Sequence, residues 1–345
     1  SSTSRGLGDV YKRQYKYVVE SSFAGLNEEI LSVYGGGRLF VVYDKNTKKL
    51  FAKEIRDELC DFELSEIVVP AGEECKSFNV YKKLIDELAL RGADRNDMII
   101  AVGGGAVSDL TGFVAATFMR GIKFAIVSTT ILSAVDASIG GKTAINTGYG
   151  KNLAGAFHSP ALVYVNTDSF DSLPPREKES GVGEIVKYAF LDKSFNLSAL
   201  KDDTEELVYR CADIKRAVVE KDEFELKKRS GRKLLNLGHT IGHALEASKG
   251  FTLSHGLCVA YGIMKIIDLS ADFYSLSPEV VSKMKGLLNA YAFNFDSGVD
   301  MRDVKSRILF DKKVSGDKIS MILLKDIGEP KVENIRISDM WRILK

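Results

Sequence analysis

The chain has 345 residues, too many for one ordinary core and about right for two domains of roughly 100 to 200 residues each. Hydrophobic residues make up 45% and charged residues 28%, so burial can offset the chain entropy lost on folding, which excludes a disordered chain. The formal net charge is +1 and no Lys/Arg run is long enough to track a phosphate backbone, which excludes a nucleic-acid partner.

Residues 1–14, SSTSRGLGDVYKRQ, have neither helical nor strand periodicity and are expected to be a non-native leader ahead of a start near Tyr15. From Tyr15 to about Asn166, short β-branched or aromatic runs alternate with amphipathic stretches, which predicts a mainly parallel sheet covered by helices. The predicted strands are Tyr15–Val19, Arg38–Tyr43, Ile67–Val69, Met98–Val102, Lys123–Ser128 and Ala161–Val165. Between them Phe78, Tyr81, Leu84, Ile85 and Leu88 recur at helical spacing and predict one crossover helix. Residues 15–170 thus read as an α/β Rossmann-like nucleotide-binding domain.

After Leu173-Pro174-Pro175 the period changes to about 3.6 residues. Glu205–Lys228, Lys233–Ala247 and Gly256–Ala271 lack strand alternation, so residues 171–345 are expected to form a mainly α-helical domain. Near its end Ile319–Leu324 reads as a strand, and the IGEP turn with KVENIRI completes a hairpin. Cys60, Cys75, Cys211 and Cys258 are scattered without C-x-x-C spacing, which argues against a disulfide framework and a thiolate zinc knuckle. No apolar run approaches the roughly 18 to 20 residues that span a bilayer, and a cytoplasmic protein without a membrane partner is expected.

Three segments carry chemistry. MIIAVGGGAVSDLTGF places Gly103, Gly104 and Gly105 after a buried strand and before a helix, with Asp109 one turn in, so backbone N–H groups can approach a pyrophosphate. A glycine triplet alone serves equally well as a tight turn without a ligand. In VSTTILSAVDASIGGKTAINTGYGKNLAGAFHSP, Lys142 and Lys151 each follow a glycine and Asn152 follows the second lysine. Two isolated lysines in a Ser/Thr/Gly-rich context suit an anionic substrate better than a solvated surface, because ammonium groups neutralise charge developing on a leaving phosphate.

The chain has 4 histidines, and three of them, His239, His243 and His255, cluster. In LLNLGHTIGHALE, His239 and His243 stand one helical turn apart and share a face, a spacing that can hold a metal through two imidazoles. Thr240 occupies the place where a zinc protease needs its glutamate, which removes the hydrolase reading. Glu184, in an otherwise apolar helical stretch beside Lys187, is the attractive third ligand, although a structural Glu184–Lys187 pair is the simpler account of that residue alone.

Taken in order, GEECKS, GGGAVSDLTGFVAATFMRG, VSTTILSAVDASIGGKTAIN, GKNLAGAFHSP, LPPREKESGVGEIVKY, NLGHTIGHALE, SHG and DKKV resemble the 3-dehydroquinate synthases from about Tyr15 to Ile335. The resemblance implies a Rossmann-like domain, a helical domain and an active site in the cleft between them. It implies that 3-deoxy-D-arabino-heptulosonate 7-phosphate becomes 3-dehydroquinate and phosphate, a shikimate-pathway step towards aromatic amino acids. The steps would be oxidation by NAD, phosphate elimination, return of the hydride and intramolecular aldol closure, with NAD recycled.

By the same resemblance the metal, zinc or alternatively cobalt, is held by Glu184, His239 and His255, leaving His243 to the substrate. Helical spacing alone selects His239 and His243 instead. NAD would meet Asp44, Glu73, Lys76, Gly104, Gly105, Asp109, Thr129 and Thr130, with Lys142 and Lys151 at the border with substrate. Substrate would meet Asp136, Lys142, Asn152, Lys187, Lys215, Arg232, Asn236, His243 and one or both of Lys312 and Lys313. Arg120 matches a position that in the family reaches the neighbouring subunit, so a homodimer follows from the resemblance.

There are two departures. The family usually has HGEAV where this chain has HGLCV, with Leu257 and Cys258, which is expected to alter the surroundings of His255. Ser108 stands where glycine is common. The alternatives are another sugar phosphate cyclase, a metal-dependent glycerol or polyol dehydrogenase, and a nucleotide-binding regulatory protein without turnover. A cationic cluster of Arg232, Lys215 and the Lys312/Lys313 pair suits a substrate carboxylate, and an uncharged polyol would not need it.

Overall fold

The computed structural model describes residues 15–196, 203–227, 230–250, 252–291, 293, 295, 301–309 and 314–344. The expected leader at residues 1–14 and the pair Lys312 and Lys313 lie outside the described residues.

The strands are β1 (Lys16–Glu20), β2 (Arg38–Asp44), β3 (Glu63–Val69), β4 (Met98–Gly103), β5 (Lys123–Ser128), the hairpin β6 (Lys142–Thr147) and β7 (Gly150–Phe157), β8 (Leu162–Asn166), β9 (Val314–Ser315), β10 (Lys318–Leu324) and β11 (Pro330–Arg336). The helices are α1 (Leu26–Val33), α2 (Lys45–Glu58), α3 (Phe78–Leu90), α4 (Gly105–Thr117), α5 (Pro175–Leu191), α6 (Thr204–Glu220), α7 (His239–Ser248), α8 (His255–Tyr274), α9 (Pro278–Asn289), α10 (Met301–Leu309) and α11 (Ile337–Ile343).

All six strands expected in the first half occur, and they form one parallel sheet in the order β1-β8-β5-β4-β2-β3. Alternate side chains serve opposite faces. Leu39, Val41, Ile100, Val102 and Val127 pack on one side, against a cluster that includes Leu26, Ile30 and Ile55 of α1 and α2. Phe40, Val42, Ile99, Ala101 and Ile126 pack on the other, in a cluster that runs on into Val186, Ile241, Val259 and Ile263 of the helical half. The two halves therefore share one apolar interior on that side of the sheet. The strand order changes direction between β2 and β4, which opens a crevice at their carboxyl ends. Asp44 ends β2 and Gly103 ends β4, so this crevice falls at the glycine triplet.

In the second half the structure differs from expectation at two places. The helix expected over Lys233–Ala247 breaks: Gly231–Asn236 is a 3₁₀ segment, and α7 starts only at His239. Gly238 causes the break, with φ at 76° and no room for a side chain, since a Cβ there would lie 2.7 Å from the Val259 carbonyl oxygen. The stretch Glu205–Lys228 is helical only to Glu220, because the Asp222 carboxylate accepts N–H bonds from Leu226 at 2.8 Å and Lys227 at 3.2 Å and turns the chain. Lys228 lies outside the described residues. The C-terminal hairpin occurs as β10 paired antiparallel with β11. Among the described residues no helix is long and apolar enough to cross a membrane.

Candidate active site

Three helices converge on one carboxylate. Glu184 of α5 is fully buried, and its Oε1 lies 3.3 Å from Nε2 of His239, the first residue of α7, and 3.3 Å from Nε2 of His255, the first residue of α8. Neither carboxylate oxygen has a hydrogen bond of good geometry among the described residues, although the Lys187 ammonium forms an ion pair with Oε2.

The other ring nitrogens explain why. His239 Nδ1 faces the Leu237 carbonyl at 3.0 Å, and a carbonyl can only accept, so Nδ1 carries the proton and Nε2 presents a lone pair. His255 Nδ1 faces Glu246 Oε2 at 3.3 Å, so Nδ1 carries a proton there whatever Nε2 holds. Two imidazole Nε2 atoms and one carboxylate oxygen facing a common centre need a cation between them, either a proton on an imidazole or a metal ion. Mixed N/O donors at open geometry suit a divalent ion such as zinc. The ring of His243 lies 5.2 Å from that of His239 and 5.8 Å from that of His255, and the ligand atoms of the three histidines fall within 4.8 Å of one another. His243 is the exposed member of this group.

The charges fit the same picture. Burial would raise Glu184, but Lys187 and His239 hold it well below the usual carboxylate range. Burial lowers His239 and keeps it neutral. Burial alone would also lower His255, but the Glu184 and Glu246 carboxylates beside it outweigh that and push it up to about 10. The expected effect of HGLCV is not a missing acceptor: Leu257 and Cys258 are buried and apolar, and Glu246 serves the His255 Nδ1.

Beside this cluster lies a second one. Asp136 sits in a wide turn of π-type helix, Ser133–Ala137, closed by Ser138 N–H donating to the Ser133 carbonyl at 3.1 Å. Lys187 Nζ lies 3.3 Å and Lys215 Nζ 3.0 Å from Asp136 Oδ1, and Tyr188 Oη donates to the same oxygen at 2.5 Å. Lys215 also donates to the Asp136 carbonyl at 2.6 Å. Burial would raise the Asp136 pKa, but Lys187 and Lys215 hold it well below the ordinary value. Burial pushes Lys215 down to about 8 in spite of Asp136. Arg232 is buried, with its guanidinium donating to the carbonyls of Glu223 at 2.8 Å and Gly140 at 2.9 Å. Asn236 Nδ2 donates to the Lys233 carbonyl at 3.3 Å.

Asp44 ends β2, and Glu73 and Lys76, Gly104 and Gly105, and Thr129 and Thr130 follow the carboxyl ends of β3, β4 and β5. The Asp44 carboxylate caps α2, accepting from Asn46 N at 2.8 Å and Thr47 N at 2.9 Å through Oδ1 alone. Helix α4 begins at Gly105 with no side-chain cap, leaving first-turn N–H groups for an anion. The backbone passes close to its neighbours there, because a Cβ on Gly104 would lie 3.0 Å from Thr130 and one on Gly105 2.9 Å from Ala137. Thr129 N–H donates to the Gly103 carbonyl at 3.2 Å, and Thr130 Oγ1 accepts from Ser133 N at 3.1 Å. These features fit a dinucleotide phosphate.

The hairpin β6–β7 ties the nucleotide side of the site to Glu246 beside the histidines. Lys76 Nζ donates to Asp109 at 2.5 Å and to Asn152 Oδ1 at 2.5 Å, and Asn146 donates to Glu73 at 2.7 Å. Lys142 pairs with Glu225, and Lys151 with Glu246 at 3.2 Å. Arg120 is not part of this assembly. It lies past the C-terminal end of α4, about 20 Å of helix from Gly105. An open depression of about 400 Å³ lined by Arg95, Lys123 and His158 lies at the start of β5, at that same far end, and shares none of the clustered side chains.

Glu246, Tyr188, Glu225 and Asn146 are polar groups of this assembly that the sequence did not single out. Glu246 was findable, since it follows His239 by two helical turns and so shares its face. Tyr188 and Glu225 carry no such spacing signal.

Comparison with known proteins is consistent along the chain. Residues 66–180 match the family described as 3-dehydroquinate synthase N-terminal, and residues 181–314 match 3-dehydroquinate synthase C-terminal. A 3-dehydroquinate synthase of Clostridium botulinum is 35% identical over 343 residues, covering 95% of this chain and 97% of the relative. A solved 2-deoxy-scyllo-inosose synthase, complexed with carbaglucose-6-phosphate, NAD+ and Co2+, superposes with a TM-score of 0.86 at 24% identity over 96% of both chains. The 2-epi-5-epi-valiolone synthase of Streptomyces hygroscopicus, with NAD+ and Zn2+ bound, gives 0.85 at 20% identity over 98% of both. The two structural likenesses establish the fold.

Proposed function

The chain belongs to the 3-dehydroquinate synthase family, and from that premise we infer that it closes 3-deoxy-D-arabino-heptulosonate 7-phosphate into 3-dehydroquinate with loss of phosphate. The observation that carries the reading is the meeting of Glu184 Oε1 with two imidazole Nε2 atoms at 3.3 Å, beside the Asp136–Lys187–Lys215 cluster. When bound, the metal supplies Lewis acidity towards a substrate hydroxyl and NAD a reversible hydride acceptor.

The protein's own groups do the rest. Glu184, His239 and His255 hold the ion, and the more exposed His243 faces substrate. Asp136 accepts from a substrate hydroxyl, and Lys187 and Lys215 offset the negative charge that develops nearby. Lys142, Asn152 and His243 hold the phosphate, while Arg232 and Asn236, with Lys312 and Lys313, meet the carboxylate. Asp44, Glu73, Lys76, Gly104, Gly105, Asp109, Thr129, Thr130 and Lys151 surround the cofactor. Binding both ends of one substrate in a single cleft favours the final intramolecular closure.

The same reading divides the chain into a nucleotide domain at 15–170 and a metal- and substrate-binding domain at 171–345, and places the enzyme in the cytoplasm. Arg120 would enter the site of a second copy, which supports a homodimer: within one chain it stands at the far end of α4 from the glycine triplet.

The test is to incubate the protein with 3-deoxy-D-arabino-heptulosonate 7-phosphate, catalytic NAD and zinc, and follow phosphate and dehydroquinate together. Equimolar release, abolished by a chelator and without net NADH, is the expected result. Net NADH from a polyol would replace the reading with a dehydrogenase.

A further inference from the structure

We propose that Tyr188 is a positioning residue that fixes the Asp136 carboxylate so that Oδ2 alone is offered to a substrate hydroxyl. The proposal rests on the functional reading above and deepens it. The hydrogen bonds to the Asp136 carboxylate and the nearest approach of each ammonium all fall on Oδ1: Tyr188 Oη at 2.5 Å, Lys215 Nζ at 3.0 Å and Lys187 Nζ at 3.3 Å. Oδ2 has no hydrogen bond among the described residues, and the side chain keeps 24% exposure. One oxygen is therefore saturated and the other left for the cleft.

The three donors are not equivalent. The lysines are shared, since Lys187 also pairs with Glu184 and Lys215 also donates to the Asp136 carbonyl. An ammonium on a flexible stem attracts a carboxylate from many directions and does not dictate which oxygen it takes. The Tyr188 hydroxyl is carried on a fully buried ring in α5, one residue beyond Lys187, and its only polar contact among the described residues is Oδ1. A rigid ring holding a short, charge-assisted bond is what prevents the carboxylate from rotating about its last torsion, a torsion that is otherwise broad and roughly two-fold. The arrangement costs burial of a phenol hydroxyl, and among the described residues Asp136 Oδ1 is the hydrogen-bond partner that offsets that cost.

The test is a double-mutant cycle with Tyr188→Phe and Asp136→Asn, read as substrate affinity. Titration calorimetry on zinc-loaded, NAD-free protein measures binding of 3-deoxy-D-arabino-heptulosonate 7-phosphate without turnover, so inactive variants remain informative. Tyr188→Phe is expected to weaken binding about tenfold in the native background, as loss of one hydrogen bond to a charged group would, and less than about twofold in the Asp136→Asn background, where the oriented charge is gone. In turnover it raises KM more than it lowers kcat. Equal losses in both backgrounds, or a lower melting temperature with unchanged affinity, would overturn the role of Tyr188. Wild-type protein that binds no sugar phosphate would instead overturn the functional reading, and this proposal with it. If Tyr188→Phe does not fold, a ring-fluorinated tyrosine at position 188 replaces it. Its fluorine resonance should move on substrate binding in the native background and stay still with Asp136→Asn, and the same movement in both would reject the proposal.

Discussion

Gly183 and Gly256 meet backbone to backbone. A Cβ on Gly183 would lie 2.3 Å from the Gly256 Cα, and a Cβ on Gly256 would lie 2.3 Å from the Glu179 carbonyl oxygen. Helices α5 and α8 thus cross with no side chain between them, far closer than helices ordinarily pack. The residues beside these glycines are Glu184 and His255, so the absence of two methyl groups is what brings Oε1 and Nε2 to 3.3 Å.

Gly256→Ala is therefore expected to push α8 away from α5 and to damage the site more than the fold. Overpacking of this kind costs about 1–3 kcal/mol of stability, and zinc affinity should fall by more than tenfold because a ligand is displaced. Gly286→Ala is the control: its Cβ meets nothing within 4 Å on α9, and alanine there should be neutral or stabilising by up to about 1 kcal/mol. Zinc competition titration and thermal melts of both variants check this. Equal zinc affinity in the two would separate the helix crossing from metal binding.

A second prediction concerns Glu246, which holds His255 Nδ1 on one side and Lys151 of β7 on the other. Burial would raise this carboxyl, but His255 and Lys151 bring it down to about 2, so it is ionised throughout the working range. Glu246→Ala frees the His255 ring to turn and should weaken zinc binding about ten- to a hundredfold, the usual range for an outer partner of a metal-bound imidazole. Glu246→Gln keeps an acceptor and should lose less. Because Lys151 also loses the Glu246 carboxylate that faces it, the KM for NAD should rise in both variants. Unchanged zinc affinity in Glu246→Ala would leave His255 oriented by something else.

Much of this was legible beforehand, for reasons that differ by element. The central parallel strands are buried on both faces, so runs such as MIIAV and FAIVS stand out as unbroken β-branched and aromatic stretches. The hairpin β6–β7 was not visible, because Lys142–Thr147 and Gly150–Phe157 are rich in Gly, Asn and Thr and half-exposed, without a hydrophobic face to mark a period. The break at Gly238 was hidden by apolar residues on both sides of it, Leu237 and Ile241, which continue a helical pattern across a turn. Helical spacing paired His239 with His243 because it sees one helix at a time. The convergence of Glu184 with His255 depends on the crossing of α5 and α8, and no local period records a crossing. Tyr188 escaped for the same reason, since its partner Asp136 is 52 residues away in sequence.

The third prediction is a pH profile. Lys215, brought down to about 8 by burial, loses its proton near the upper end of the working range, and with it the charge that faces Asp136 and the anionic substrate. The value of kcat/KM should therefore have an alkaline limb near pH 8, falling as the pH rises. Lys215→Arg keeps its charge at any working pH and should shift that limb upwards while lowering activity, because the fork does not fit a point-charge site. Stability runs the other way. The folded value lies below the ordinary 10.5, so between the two the unfolded chain binds more protons and this group's contribution to stability grows with pH. A limb that stays in place in Lys215→Arg would assign it to another group.

The fourth prediction separates the metal from the proton that takes its place. In metal-free protein His255 is pushed up to about 10 by Glu184 and Glu246, so near neutral pH an imidazolium proton satisfies part of the Glu184 charge and zinc must displace it. Zinc affinity should rise by about tenfold per pH unit between roughly pH 7 and 9, as expected when one proton leaves for each ion bound. The metal-free protein behaves oppositely: because the folded value lies above the ordinary 6.5, His255 contributes its full stability below that pH and loses it as the pH rises through about 10. Chelation should therefore lower the melting temperature little in mild acid and by several degrees in mild alkali, where free zinc at a hundred times its Kd stabilises by about 2.7 kcal/mol. Melting curves with and without chelator across that range decide the matter. A melting temperature indifferent to zinc at every pH would remove the ion from Glu184, His239 and His255, and leave the imidazolium as the group that completes their charge.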